Sequence, residues 1–228
     1  MCVRKTLLTW EERALTSPAT VTSVPYATLL SFTRYVGRTG PRKATFVGGL
    51  RRQRESRSGF NPHSQLVKAL KADIQFRTGG TYLRAVVDEV KPRWRPLYES
   101  IVPGALRYLE SLGDAREVQV APTRDALGVV GNLPVKINPH FGLRYADGRA
   151  EAVRLHFDED PPQDDATVAT LHLMGRHMDQ VLPHAEPVLV DLRRGEVLRP
   201  DPAVKPADVE RWLAGEAAAF AAMWSAAA

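Results

Sequence analysis

Cysteine is almost absent from this chain, and several familiar architectures go with it. A single Cys2 excludes an internal disulfide framework and a cysteine-built zinc site. Its solitude suits a reducing compartment, so a cytoplasmic chain is expected. No apolar run approaches the roughly 20 residues that a membrane helix needs, so no membrane partner is expected. Arg4 and Lys5 are followed by no long apolar segment, which argues against a secretory leader. Also missing are a Gly-rich phosphate loop, a nucleophile elbow and an HExxH pair, and with them the chemistries those motifs carry.

What is present is enough for a real core. Hydrophobic residues make up 44% of the 228, which fits one large domain or a domain with a helical portion. The abundance of Ala, Arg, Pro and Gly points to a GC-rich bacterial genome. Charge is placed unevenly. Residues 1–110 hold 19 Lys/Arg against 8 Asp/Glu, a net of +11, while residues 111–228 hold 12 against 18, a net of −6. A basic half beside an acidic half makes polyanions, nucleic acid first, the expected partners.

Residues 1–20 read as an extended arm. A short helix is expected over 23–35, with Ser23 as cap, Pro25 in the first turn and an apolar stripe of Leu29, Leu30, Phe32 and Val36. The stretch 34–57 is the most basic. Arg42, Lys43, Arg51, Arg52, Arg54 and Arg57 suit a phosphate-contacting arm, because Arg forks match phosphate oxygens. A solvated loop explains the same residues. Helices follow over 62–77, from Thr81 to about Lys91, and over 103–112. Residues 1–113 therefore read as a basic, mainly helical portion.

Beyond Gly113 the period changes to two, and residues 114–228 read as an α/β core with a C-terminal helix. Strands are expected over 116–120, 129–137, 138–145 and 151–157, with turns at 123–128 and Asp147-Gly148. In the strand over 151–157, Ala152, Arg154 and His156 share one face, and Val153, Leu155 and Phe157 share the other, a half-buried pattern. An acidic loop over 158–165 supplies either a cation site or, more simply, a helix cap, since it lacks the glycine and terminal Glu of a calcium loop. A helix from Asp165, a hairpin around residues 193–196 and a helix from Pro206 bearing Trp212 and Trp224 complete the chain. His172 and His177 lie about 140° apart on their helix and cannot share one ion. His172 and Arg176 are an i, i+4 pair, two donors beside the sheet or simply a polar flank.

The order of helix, three strands with a turn before the last, helix and strand resembles the RecB-type branch of the PD-(D/E)XK nuclease superfamily. The resemblance covers roughly residues 116–200. It implies a restriction-endonuclease-like α/β fold, a mixed central sheet flanked by helices. It also implies a metal site made by an early Glu, an Asp and an Asp/Glu-x-Lys triplet. Carried over, the Glu falls on Glu117, the Asp on Asn138, and the triplet on Arg154-Leu155-His156. Asn138 is a poor ligand for a hard cation, and Arg154 reverses the charge a metal requires. A shifted register would offer Glu151-Ala152-Val153, without the basic third residue. The resemblance thus implies a nuclease-like protein that holds no cofactor and binds DNA or a DNA-processing partner without cutting. Two other readings stay open. One is an active Mg²⁺- or Mn²⁺-dependent nuclease with a relocated site from Glu117, His140, His156 and Glu151. The other is a protein–protein module that uses the Trp-bearing C-terminal helix.

Overall fold

A computed structural model describes residues 25–56 and 61–227. The arm over 1–20, the Ser23 cap and Arg57 lie outside the described residues. The first helix, α1 (Leu29–Val36), starts at the first residue of its apolar stripe and six residues later than expected. Ala27 and Thr28 are drawn out into a short strand, β1 (Ala27–Thr28), that pairs parallel with a strand far along the chain. Thr28 then closes a capping box, its Oγ1 accepting from Ser31 N at 3.2 Å while Ser31 Oγ accepts from Thr28 N at 2.9 Å.

The arginine-rich stretch is neither a loop nor an extended arm. Pro41 opens α2 (Pro41–Glu55), and the helix carries Arg51, Arg52 and Arg54 on its last turns. Its glycines do not break it, because Gly48 is buried next to the C-terminal helix, where Ala227 is a near neighbour. α3 (Ser64–Phe76) and α4 (Thr81–Glu89) are joined by one carboxylate. Asp73, 1% exposed, accepts from Thr78 Oγ1 at 2.5 Å and from the backbone of Gly80, Tyr82 and Leu83 at 2.8–3.1 Å. It caps a helix that starts eight residues downstream. A 3-10 turn at Pro92–Trp94 leads into α5 (Arg95–Ser111), which begins well before the expected residue 103. Pro96 lies in its first turn, where no amide hydrogen is needed, and Pro103 lies in its interior.

The fold is α/β, with mixed strands flanked by helices. The five-stranded sheet runs in the order β2 (Val118–Ala121), β5 (Phe141–Tyr145), β6 (Ala150–His156), β7 (Glu186–Asp191) and β8 (Glu196–Leu198). β6 and β7 are parallel, joined through α6 (Asp164–Arg176) and α7 (Met178–Val181); every other pairing in this sheet is antiparallel. A smaller sheet holds β1, β4 (Leu133–Ile137) and β3 (Ala126–Val130). The turn expected over 123–128 is a correction: β3 starts at Ala126, and the reversal falls after Val130, at Gly131 with φ +57°. Gly128 lacks a side chain where one would sit 2.4 Å from the His177 ring.

Two apolar cores form. One packs α3, α4 and α5 against Val118, Phe141, Leu143, Val153, Leu155 and Val188 of the large sheet. The other gathers α1, α6, the small sheet and α8 (Pro206–Ala226), and meets the large sheet at small side chains, Ala121, Ala150 and Ala152. β6 is consequently buried on both faces, where alternation alone implies one. A parallel crossover strand covered by helices on both sides has no solvent face to spare. α5 comes closest to the sheet edge at Gly104, where any Cβ would lie 2.2 Å from the carbonyl oxygens of Leu192 and Arg193. Among the described residues no helix is long and apolar enough to cross a membrane.

Candidate functional site

The C-terminal end of a parallel strand that feeds a crossover helix is where open α/β sheets leave a crevice. Here β6 ends at His156, α6 begins at Asp164, and α1 and the start of α2 close the space from the side. The result is a cleft of about 930 Å³. Arg34, Arg38, Arg42 and Arg154 line it from α1, the turn before α2, α2 and β6, and Asp158, Asp160, Asp164 and Asp165 line it from the loop and the start of α6. The cleft is therefore bipolar, with a cationic wall facing an anionic one.

Arg154 is the deepest of these charges, only 7% exposed. Its guanidinium donates to the Asn138 carbonyl at 2.6 Å and has no ion pair among the described residues. Burial, with a smaller push from the neighbouring Arg34 charge, pulls its pKa down to about 10. The other cations are less buried. Arg34 pairs with Asp158. Arg38 donates to the Arg34 carbonyl and lays its guanidinium 4.0 Å from the centre of the Phe46 ring. Arg42 forms no ion pair among the described residues. His156 Nε2 donates to the Asp160 carbonyl at 2.8 Å, which ties the strand end to the acidic loop.

Beneath this floor lies an aromatic stack. The Phe157 ring lies 4.2 Å from and parallel to His63, and meets His140 edge-on at 5.5 Å. His140 Nδ1 accepts from Leu155 N at 2.9 Å, so its proton sits on Nε2. Burial drives both imidazoles toward the neutral form, His63 to about 4 and His140 well below its ordinary value. Two polar atoms of this layer, Asn138 Oδ1 and His63 Nδ1, are buried without a hydrogen-bond partner among the described residues.

The structure brings some of the sequence candidates together and separates others. Arg154 bonds the backbone carbonyl of Asn138, which stands behind the cleft wall, and His156 lines the cleft with Arg154 one pleat further along. Glu117 is exposed beyond the start of β2, beside Ala146, at the opposite end of the sheet. Glu151 lies five residues back along β6, roughly 17 Å from His156 at strand rise. It is buried, accepting from Tyr145 Oη at 2.9 Å and Arg199 at 2.6 Å. Glu117 and Glu151 thus share no site with His140 and His156.

The basic set divides as well. Arg51 donates to the Trp224 carbonyl at 2.8 Å, and Arg54 lies 3.7 Å from the Tyr26 ring centre and 4.7 Å from that of Trp224. Lys43 pairs with Glu216 at 2.6 Å. These three residues fasten α2 to α8. Arg52 is exposed, and Arg176 stands on the far side of α6, 3.9 Å from Glu210. Trp224, 4% exposed, is turned into the chain's own core. Sequence reasoning left Arg34, Arg38 and His63 out of its site. Arg34 and Arg38 carried a signal, since both fall in the most basic stretch, whereas His63 follows a proline at a helix start and carries none.

Among the described residues no group of three or more His, Cys, Asp or Glu is placed to hold a metal ion. Chemically, one wall of the cleft offers the donors and positive charge of Arg38, Arg42 and Arg154 to an anion, and the other wall holds the carboxylates of Asp158, Asp160, Asp164 and Asp165, with neutral imidazoles behind. No protein-family model matches the chain, and no curated protein matches it.

Proposed function

We propose that the chain is a restriction-endonuclease-like protein whose cleft binds the backbone of a nucleic acid without cutting it. The observation that carries this reading is Arg154, a buried guanidinium with no carboxylate partner among the described residues, on the floor of a cleft at the end of β6. Keeping such a charge unpaired costs the fold several kcal/mol unless something anionic meets it. Two further features support the reading. Arg154, which the nuclease resemblance aligns with a metal-holding carboxylate, reaches the backbone carbonyl of Asn138, the other such position. The strand order of the large sheet, with its parallel step through α6, accommodates that resemblance. With a guanidinium in place of a carboxylate at 154, the cleft attracts phosphate oxygens directly and needs no bridging cation.

The test is binding of labelled single-stranded and duplex oligonucleotides over a range of salt. Arg38, Arg42 and Arg154 are the cleft cations with no ion pair among the described residues, so log affinity should fall against log salt with a slope of about −2 to −3. Arg154→Met and Arg42→Ala should each lower affinity and flatten the slope by nearly one. Arg52→Ala, outside the cleft, should do neither. No strand scission should appear with Mg²⁺ or Mn²⁺. A slope indifferent to Arg154 and Arg42, or metal-dependent cleavage, would overturn the reading.

A further inference from the structure

A second cavity lies on the opposite side of α6. It measures about 820 Å³, within the size range of small-molecule sites. Its walls are Val168 and Leu171 of α6, Pro187 at the start of β7, and Pro200, Pro202 and Val204 of the segment before α8. One polar atom stands out in this apolar setting. His172 Nε2 is buried and has no hydrogen-bond partner among the described residues, with Glu210 Oε1 too far away at 3.9 Å. Burial also moves this imidazole toward its neutral form, so the atom meets a ligand as an uncharged donor or acceptor.

A glycine supports the same conclusion independently. Gly175 sits inside α6 on the wall of this cavity, where glycine costs about 1 kcal/mol relative to alanine. Nothing in the packing requires it there. A Cβ would meet only Pro187 Cγ, at an ordinary 3.5 Å, and its φ is not in the left-handed region. What the glycine does is keep the cavity open, since any larger side chain would stand in it.

The charges around the cavity limit the ligand. Arg199 is taken by Glu151 at 2.6 Å and Glu186 at 3.6 Å, and Arg176 stands beside Glu210. Asp164, Asp201 and Glu210 also border the space. A carboxylate or phosphate would meet more negative than free positive charge. We infer that the cavity between α6 and the segment before α8 binds a small uncharged molecule, with an apolar body against the prolines and one hydroxyl or amide bonded to His172 Nε2. This inference does not depend on the nucleic-acid reading, because Arg154 and the cleft lie across α6.

The experiment titrates the full chain with para-propylphenol and, for comparison, para-propylbenzoate, following the His172 ring resonances by NMR. The phenol should bind saturably below about 1 mM and shift those resonances, and the benzoate should bind at least about tenfold more weakly. Gly175→Leu, which fills the cavity and favours the helix, should abolish binding while leaving thermal stability equal or higher. His172→Phe, which keeps the shape and removes the ring nitrogen, should weaken the phenol about fivefold, the worth of one hydrogen bond. Absence of saturable binding by either probe, binding untouched by Gly175→Leu, or tighter binding of the benzoate would each overturn the inference.

Discussion

Replacing Arg154 with methionine should make this protein more stable. The guanidinium is buried and held near a pKa of about 10, against an ordinary 12.5, mainly by loss of water. That gap corresponds to about 3 kcal/mol by which the fold disfavours the charged form at neutral pH. Methionine removes the charge, keeps the apolar stem and forfeits one hydrogen bond, leaving the Asn138 carbonyl without its donor at a cost of about 1–2 kcal/mol. The net expectation is a gain of about 1–2 kcal/mol, where most core truncations lose that much or more. The pH dependence follows from the direction of the shift. A cation whose folded pKa is depressed destabilises the fold fully below that pKa. The penalty fades as pH rises through about 10, because the folded protein releases its proton before the unfolded chain does. Urea unfolding of parent and variant at neutral pH and again near pH 11 measures both points: the variant's advantage should be full at neutral pH and smaller by about 1 kcal/mol near pH 11. A loss of more than about 2 kcal/mol at neutral pH would refute the reasoning and make Arg154 a structural residue.

Three other outcomes are expected. Asp73→Ala should cost about 3 kcal/mol in thermal or denaturant unfolding, since it strips the amides of Gly80, Tyr82 and Leu83 of their acceptor; Asp73→Asn, which keeps one carbonyl oxygen, should cost less. Leu155→Ala should cost about 2–5 kcal/mol, because the side chain is 2% exposed among β5, β7 and the helices of its core. Stability should fall by about 2 kcal/mol as pH drops from 6.5 toward 4. His63 stays neutral in the fold down to about 4 while the unfolded chain takes up its proton; His63→Phe, which keeps the stack on Phe157, should flatten that fall.

Much of the large sheet was legible because its strands alternate and its turns are punctuated. Val118, Leu143, Val153 and Val188 all lie on strands close to where period and turn residues put them, and Asp147-Gly148 turns the chain as expected. The bond from Arg154 to the backbone carbonyl of Asn138 was not legible, for nothing in the spacing of 16 residues brings them together. What was not legible depends on partners distant in sequence. The arginines at 51 and 54 read as solvent-facing because their acceptors, the Trp224 carbonyl and the Tyr26 and Trp224 rings, lie at the two ends of the described chain. Ala126 to Gly128 read as a turn because a glycine next to polar residues signals one, whereas here the glycine makes room for the His177 ring. The two-sided burial of β6 could not be seen either, since alanine on one face looks the same to a periodicity argument whether a helix covers it or water does.

The division of the interior into two cores has a consequence for the order in which the chain acquires structure. The core around α3, α4 and α5 draws its residues from one continuous stretch, Leu66 through Leu192. The other ties β1 to β4 across more than a hundred residues and α2 to α8 across 173, through the Lys43–Glu216 pair and the Arg51 bond to Trp224. On a ribosome the first core can consolidate while the last helix is still in the exit tunnel, but the second has to wait for that helix. Until it arrives, Phe32, Tyr35 and Val47 have no Phe220 or Trp224 to pack against, so α1 and α2 are made first and secured last.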